Sequence, residues 1–342
     1  MGSNVAARRG VLGGGRSAVR RLAEIARRLA HAAGLVLAVL VLNFLLIHLA
    51  PGDPADVIAG EMGGATAEGM ARIRALYGLD DSLPVQLVRY LARVLTGDLG
   101  HSFYFNRPVT GLVIERMGVT ALLVISAILA ALVVGTWLGV LAARRPRGFA
   151  ELLVTVFALA GFALPVFWTG MMLLLLFAKT IPIFPVSGIA DPSLPPAGFA
   201  HVVDVAHHLV LPALTLALIY MAQYSRQARA GMMTALSADY VRTARAKGLH
   251  ERRVVYRHAL RNALMPVITI VGLQFGQVLA GAVLVETVYS WPGLGRLAYE
   301  SILRRDSPTL LGILLGSSVM VIVANLLTDA AYRWADPRLR AE

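Results

Sequence analysis

Long apolar segments alternate with short polar ones along most of the chain. The apolar segments fall at about 32–50, 119–142, 150–178, 209–230, 265–288 and 309–332. A helix over the first of them would rise about 28 Å, which is enough to cross the hydrocarbon core of a bilayer. The pattern therefore predicts an all-α polytopic membrane protein with six transmembrane helices.

The segments between these spans are polar or broken. Residues 51–118 predict an extramembranous segment with amphipathic helices near 66–77 and 84–95. The loop 179–208 is rich in proline and is predicted to be extended, and 289–308 is too short and too broken for a domain. Gly161 and Pro165 predict a kink inside the third span.

An arginine-rich tail, residues 1–31, precedes the first span at 32–50. Its glycines at 10–15 predict flexibility. From Ser17 to His31 apolar residues recur at helical spacing opposite arginines, which favours an amphipathic helix at the membrane interface. A charged disordered tail is the alternative.

Composition supports a membrane protein and sets its orientation. Hydrophobic residues make up 57% of the 342 and charged residues only 15%, against about 25% in ordinary soluble domains. Most Lys and Arg residues fall in segments on the same side as the N-terminus, which predicts cytoplasmic N- and C-termini, the latter in the tail 333–342. The net charge of +12 is then explained by topology and anionic lipid, not by nucleic acid.

The most unusual polar stretch is the segment 238–266, which we call the basic hairpin. Gly248 follows Lys247 where a helix end needs a left-handed residue, and a second short helix is predicted before the chain re-enters the membrane near Pro266. Each cation would cost about 2.5–3.5 kcal/mol at a bilayer centre, so the basic hairpin must lie in water. Its cations are Arg242, Arg245, Lys247, Arg252, Arg253, Arg257 and Arg261.

Sequence motifs for chemistry are few. The chain has no cysteine and only two lysines, and neither lysine lies in a glycine-rich phosphate loop. No nucleophile–base pair is evident, so an enzyme is not predicted. His201, Asp204 and His208 would share a helix face as weak metal candidates, but a helix from 201 would enclose Pro212, which favours a polar loop there.

Polar residues inside the predicted spans could line a translocation path. Gln274, Gln277 and Gly281 share one helix face, and Asn43 lies in the first span. Hydrogen bonding between helices is the alternative interpretation of each. No carboxylate lies near the middle of a span, which argues against a proton-coupled carrier.

Several strings occur in an order that resembles type I ABC importer permease subunits of the dipeptide/oligopeptide/nickel family. The resemblance covers about residues 32–340 and implies the type I importer permease fold, in the cell inner membrane. The strings are HLAPGDPA at 48–55, LTGDLGHSF at 95–103, ALPVFWTGMMLLLLF at 163–177, IPIFPVSG at 181–188, HLVLPALTLAL at 208–218, DYVRTARAKGL at 239–249, RHALRNALMP at 257–266 and VETVYSWPGLGRLAYESILRRDSP at 285–308.

The resemblance also implies a role for the loop 231–264, which contains most of the basic hairpin, as the segment that docks on an ATPase subunit. Ala244 and Gly248 match the family's E-A-A-x-x-x-G motif by identity, and the leading acid is absent. A solvated basic loop is the alternative. The coupling residues implied by position or proximity are Tyr240, Arg242, Thr243, Ala244, Gly248, Leu249, Arg252 and Arg253.

The partners implied by the family are a homologous second permease, two ATPase subunits and an extracytoplasmic substrate-binding protein. ATP and Mg are expected in the ATPase subunits, and no cofactor is expected on this chain. Short peptides are the expected cargo, with nickel, glutathione or haem as alternatives. A secondary carrier or channel not driven by ATP is the alternative of another class.

Overall fold

A computed structural model describes residues 4–49, 59–60, 64, 66–77, 80–102, 104–144 and 148–335. The chain divides into two compact units, Met1–Asp98 and Leu99–Glu342. Of the predicted C-terminal tail 333–342, only residues 333–335 are described, and they continue the last helix.

The first unit contains helices α1 (Asn4–Leu49), α2 (Ala67–Tyr77) and α3 (Leu83–Leu95). The predicted helices at 66–77 and 84–95 are thereby confirmed. The expectation that residues 10–15 are flexible is wrong, because α1 is continuous through them. The helix also continues through the boundary predicted at 31–32. A helical glycine costs only about 1 kcal/mol relative to alanine, so good helix formers on either side can carry the helix across it.

The second unit is almost entirely helical. Its one described sheet is an antiparallel pair in which His101 faces Pro108 and Ser102 faces Arg107. Two stretches have π-helical geometry, Leu175–Thr180 and Val254–Ala259. The elements in order are β1 (His101–Ser102), β2 (Arg107–Pro108), α4 (Val109–Arg144), α5 (Phe149–Ala163), α6 (Val166–Leu174), α7 (Phe199–Ser237), α8 (Asp239–Ala246), α9 (Glu251–Arg253), α10 (Leu260–Ala263), α11 (Met265–Val288), α12 (Leu294–Arg304) and α13 (Ser307–Ala335).

Four helices in the described part of the chain are long and apolar enough to cross a membrane. A fifth crossing is obtained if α11, which bends by 54° between Met265–Gly272 and Gln274–Val288, counts as one span. The four are Ala26–Leu46, Val109–Arg144, Phe199–Ser237 and Ser307–Thr328. The remaining predicted span, 150–178, is divided between α5 and the shorter apolar helix Val166–Thr180, so the count of six stays a prediction.

The division of this third predicted span confirms the kink. Helix α5 ends at Ala163, and Pro165 takes an extended conformation (φ −60°, ψ 138°) before α6 begins. Proline lacks an amide hydrogen and disfavours helix at the residue before it, so the helix is interrupted at Leu164.

The prediction of an extended loop at 179–208 was wrong in its last part. Helix α7 begins at Phe199, inside the segment 179–208 predicted to be extended, and it continues through Pro212. Leu211, Pro212 and Ala213 are buried, and packing of this kind lets a helix keep a proline within a membrane bundle. The segment 289–308, predicted to be too short and too broken for a domain, contains one short helix, α12.

The core of the second unit is built around the crossing of α4 and α7. A side chain on Gly135 would lie 2.8 Å from the Met221 carbonyl oxygen, and one on Gly139 would lie 2.7 Å from the Ala228 Cβ. Two glycines one turn apart thus let the helix backbones approach closely, as small residues do in membrane helix pairs. This crossing fixes the direction in which α7 leads into the basic hairpin.

Candidate functional site

The backbone of the basic hairpin follows the predicted order of helix, break and helix. Helix α8 ends at Ala246, and Gly248 is left-handed (φ 73°). The Gly248 amide donates to the Arg245 carbonyl at 2.9 Å and the Leu249 amide donates to the Ala244 carbonyl at 3.3 Å. These bonds close the C-terminus of α8 and turn the chain into α9, which confirms the sequence prediction.

One face of the basic hairpin is packed against the ends of α4 and α7. Val241 and Ala244 of α8 are buried in a small apolar cluster, with Leu249 packed at its edge. A fully buried valine stabilises a fold by about 1.5–3 kcal/mol relative to an exposed one, so this face anchors the hairpin. The buried members are Val140, Ala143, Met232, Ala235, Val241, Ala244, Val254, Val255, Ala259 and Ala263.

The exposed side of the basic hairpin carries several cations and the rings of Tyr240 and Tyr256. Tyr240 is 40% exposed, and Arg242 makes a long ion pair with Asp239 at 3.5 Å. An aromatic side chain beside arginines is typical of protein-binding surfaces. The exposed residues of this outer face include Tyr240, Arg242, Thr243, Lys247, Gly248, Arg252 and Arg253.

The coupling residues expected from the family thus divide between the two faces. Ala244, one of the two motif identities, lies 6% exposed in the buried cluster, and Leu249 is half-buried beside it. Ala244 therefore packs inside the hairpin, and its expected coupling role stays a prediction. The other six expected residues lie on the exposed outer face.

A salt bridge between the two helical arms holds the hairpin closed. Arg245 of α8 donates from Nε and Nη2 to the two carboxylate oxygens of Glu251, at 3.1 and 2.7 Å. These hydrogen bonds lower the pKa of Glu251 and raise that of Arg245. The two side chains are about half exposed, so solvent screening keeps the stabilisation modest, below about 1 kcal/mol.

Close contacts also tie the hairpin to the helices behind it. A side chain on Gly231 of α7 would lie 2.7 Å from the Ala263 carbonyl oxygen of α10. Behind the hairpin, Arg229 of α7 forms an ion pair with Glu151 of α5, which links these two helices. The basic hairpin is therefore packed closely against α7.

The predicted path residues have unlike surroundings. Gln274 of α11 donates a hydrogen bond to Gln223 of α7, as the interhelical interpretation predicts. Gln277 is exposed, and Gly281 lies close to Leu216 of α7. Asn43 is 1% exposed within the first unit, where it hydrogen-bonds Tyr90. Of the four, only Gln277 presents a polar side chain at the surface of the described chain.

His201, Asp204 and His208 do lie on a helix, contrary to the preference for a loop. His208 Nδ1 lies 2.9 Å from the Asp204 carbonyl oxygen, and Asp204 accepts a hydrogen bond from the Asp191 amide at 2.7 Å. The helix and a neighbouring turn thus use the polar groups of Asp204 and His208. Within the described residues, no group of three or more His, Cys, Asp or Glu side chains is arranged to hold a metal ion.

Sequence reasoning missed two buried carboxylates, Glu286 and Asp306. Glu286, near the end of α11, is 0% exposed. Its only sequence signal is a carboxylate at the end of an apolar span, shortly before the Trp-Pro-Gly-Leu-Gly string at 291–295. Its surroundings are described below.

Comparison with known proteins gives consistent matches over nearly the whole chain. Residues 135–341 match the family described as "Binding-protein-dependent transport system inner membrane component", and residues 21–126 match the corresponding N-terminal family. The dipeptide transport system permease protein DppB of Escherichia coli (strain K12) is 39% identical over 333 residues, covering 92% of this chain and 98% of that protein. The oligopeptide transport system permease protein AppB of Bacillus subtilis (strain 168) is 36% identical over 319 residues, covering 93% and 99%.

A solved structure shares the fold. An inward-facing form of the MetNI methionine ABC transporter matches with a TM-score of 0.51 at 14% sequence identity, covering 66% of this chain and 96% of that chain. At this identity the likeness concerns the fold alone.

Proposed function

Because this chain belongs to the family of inner-membrane components of binding-protein-dependent transport systems, we propose that it forms half of the translocation path of an ATP-driven importer of short peptides. The chain is a permease subunit of an ABC importer in the inner membrane and is not an enzyme. The relatives at 36–39% identity that are named as peptide permeases support peptides as the cargo.

The proposed topology has six spans with both termini in the cytoplasm. The distribution of Lys and Arg supports it, because the cation-rich segments then share one side of the membrane. The basic hairpin lies on the cytoplasmic side in this arrangement, and α12 lies on the outer side.

The observation that carries the proposal is the two-sided basic hairpin. Its inner face is anchored by buried Val241 and Ala244, while Tyr240 and the arginines of the outer face are exposed. A basic loop that only lay in water at the membrane surface would not need a buried anchor. An anchored segment with an exposed aromatic ring and fixed cations is suited to bind in a groove of a partner.

In the proposed mechanism two ATPase subunits, which bind ATP and Mg, close and reopen, and each carries a groove for one permease hairpin. The hairpin converts their approach into rotation of the helix bundle behind it. A partner shifts such an equilibrium only by the difference between its binding energies for the two states. The hairpin must therefore stay bound while α7 reorients. A homologous second permease and an extracytoplasmic binding protein complete the proposed complex.

The test is site-directed cross-linking in the complete complex. Because this chain has no cysteine, a single introduced cysteine is its only thiol and defines the site of cross-linking. Tyr240→Cys on the outer face is expected to cross-link to an ATPase subunit. Phe199→Cys, which is 84% exposed at the other end of α7, is the matched control and is expected not to do so. Capture of lipid alone from position 240 would refute the docking role.

A transport assay in proteoliposomes separates this function from a secondary carrier. Peptide uptake is expected to require ATP, the ATPase subunits and the binding protein, and to be blocked by vanadate. The double substitution of Arg252 and Arg253 to Glu is expected to abolish uptake, while substitution of both to Lys retains most of it. Uptake by this chain alone under an ion gradient would contradict the proposal.

A further inference from the structure

The fully buried carboxylate of Glu286 needs a structural explanation. A charge transferred from water into a protein interior carries a desolvation penalty of several kcal/mol unless hydrogen bonds and nearby charges offset it. Glu286 lies at the outer end of α11, where α4 and the start of α12 meet it. The groups that compensate it come from both of these helices.

Three donors bind the two carboxylate oxygens. Thr120 of α4 donates its hydroxyl hydrogen to Oε1 at 2.6 Å, and the amides of Gly295 and Arg296 donate to Oε2 at 2.7 and 3.1 Å. These amides belong to the first turn of α12, where unpaired N–H groups and the helix dipole favour a negative charge. Glu286 therefore caps α12 from a different helix.

Thr120 joins all three helices through one hydroxyl group. While its hydrogen is donated to Glu286, its oxygen accepts the amide hydrogen of Leu294 at 2.8 Å. Thr120 is itself 1% exposed. A residue from α4 thus satisfies both a carboxylate of α11 and an amide of α12.

Two glycines leave the room that the carboxylate occupies. A Cβ atom on Gly293 would overlap the Glu286 carboxylate, and one on Gly295 would lie 3.0 Å from its Oε2 atom. A side chain at either position would push the first turn of α12 away from α11. Gly293 is therefore required by the carboxylate, whereas Gly295 is required first by the Val283 backbone of α11, whose Cα atom a Cβ would overlap.

The turn between α11 and α12 is fixed to α4 at two further points. The indole Nε1 of Trp291, a residue that is 0% exposed, donates to the Val119 carbonyl at 3.2 Å. Arg116 donates to the Pro292 carbonyl at 3.0 Å, and its charge also acts on Glu286. The contacts to α4 thus cover successive turns of that helix.

We infer that Glu286 is a positioning residue that fixes α12 to the outer ends of α4 and α11, so that these three elements reorient as one rigid body during transport. The inference rests on the proposed function. A mobile lid hinged at the turn 289–293 is the opposite expectation, and it would require Glu286 to lose its partners in one state. Movement is expected instead away from this cluster, as at the bend in α11 between Gly272 and Gln274.

The experiment measures the distance between α4 and α12 with spin labels on the full complex in nanodiscs. Ile114→Cys and Leu303→Cys are suitable label sites, because both side chains are 64% exposed. The same single distance is expected in the nucleotide-free and the vanadate-trapped states. A change of this distance between the two states would overturn the rigid-body inference.

A matched pair of variants tests the positioning role. Thr120→Val removes the hydroxyl at nearly constant shape, and Thr120→Ser keeps it. Loss of one charge-assisted hydrogen bond shifts an equilibrium by about tenfold or more. In Thr120→Val and in Glu286→Gln we expect a second component in the distance between the two spin labels. We also expect about a tenfold lower ratio of peptide transported to ATP hydrolysed. Thr120→Ser should stay close to the parent in both measurements.

The ratio of transport to hydrolysis separates positioning from a purely structural role, which would reduce only the amount of folded complex. An unchanged ratio and a single distance in Thr120→Val would refute the role of Glu286. If the parent complex does not import peptide with ATP, the proposed function fails. The distance in the nucleotide-free chain would then still show whether the Thr120 hydroxyl holds α12 in place.

Discussion

Substitution of Gly139 by alanine tests whether the close crossing of α4 and α7 is required. The added Cβ atom would lie 2.7 Å from the Ala228 Cβ and 2.9 Å from the Arg229 amide nitrogen, and closer still to the Ser225 carbonyl oxygen. Two of these three neighbours are backbone atoms of α7. They cannot move aside as the end of a flexible side chain can, so one helix must shift.

The magnitude follows from two opposing terms. Alanine is favoured over glycine within a helix by about 1 kcal/mol. Overpacking a tight interface costs about 1–3 kcal/mol. Because the clash is with backbone, the upper part of that range applies, and we expect Gly139→Ala to lower the free energy of unfolding by about 1–2 kcal/mol.

The same helix supplies the controls. A side chain on Gly111 or Gly118 of α4 would meet no atom within 4 Å. Gly111→Ala and Gly118→Ala are therefore expected to leave stability unchanged or to raise it by up to about 1 kcal/mol. Thermal unfolding followed by circular dichroism in detergent ranks the three variants by stability.

The crossing also positions the basic hairpin, because α7 continues into it and Val140 and Ala143 of α4 belong to its buried cluster. Gly139→Ala should accordingly reduce ATP-dependent uptake more than either control variant does. A Gly139→Ala protein as stable as Gly118→Ala would show that the helices do not need this close approach, and the account of the α4–α7 crossing would be refuted.

Three further predictions concern the turns of the second unit. Gly248→Ala should weaken uptake, because the left-handed conformation at this position costs about 1–2 kcal/mol for a residue with a Cβ atom, even though a Cβ atom would meet no neighbour within 4 Å. Gly248→Asn should weaken uptake less, and equal uptake by the two variants would contradict this reasoning. The pKa of Glu251 is lowered by Arg245, so their pair stabilises the hairpin above the unfolded pKa of Glu251 and is lost as pH falls through the folded pKa. The free energy of local opening, measured by hydrogen exchange in 239–253, should therefore be a few tenths of a kcal/mol lower in Glu251→Gln than in the parent at pH 7. The two proteins should converge at acidic pH. Asp306, which is 2% exposed, accepts hydrogen bonds from Ser102 at 2.5 Å and from the Thr309 hydroxyl at 2.7 Å. Asp306→Asn should lower stability by about 1.5–3 kcal/mol in thermal unfolding, whereas Asp239→Asn, at an exposed site, should not.

Local patterns in the sequence predicted the helical class and the course of the basic hairpin. Apolar runs long enough to cross a bilayer gave most of the spans, and Pro165 and Gly248 gave a kink and a turn. These features depend on neighbours within a few residues, since proline and glycine act on their own backbone. The resemblance to a permease family likewise came from short strings, and the comparisons confirm it.

The same local rules failed where packing outweighed propensity. Proline and polar residues predicted a loop before 209, but α7 begins at Phe199 and continues through Pro212, which is buried in the helix bundle. The glycines of the N-terminal tail predicted flexibility, but α1 continues through them. Single-residue preferences of about 1 kcal/mol are readily overridden by the surrounding helix.

The chemistry of individual side chains was decided by contacts between distant parts of the chain. The family motif did not reveal that Ala244 faces inward while Tyr240 faces outward, because that depends on the α4 and α7 ends beneath the hairpin. Gln274 binds Gln223, 51 residues away, and Glu286 binds Thr120, 166 residues away. The sequence alone determined where helices run and turn, whereas the tertiary structure decided which polar groups are buried and what satisfies them, since desolvation depends on all surrounding atoms and not on sequence neighbours.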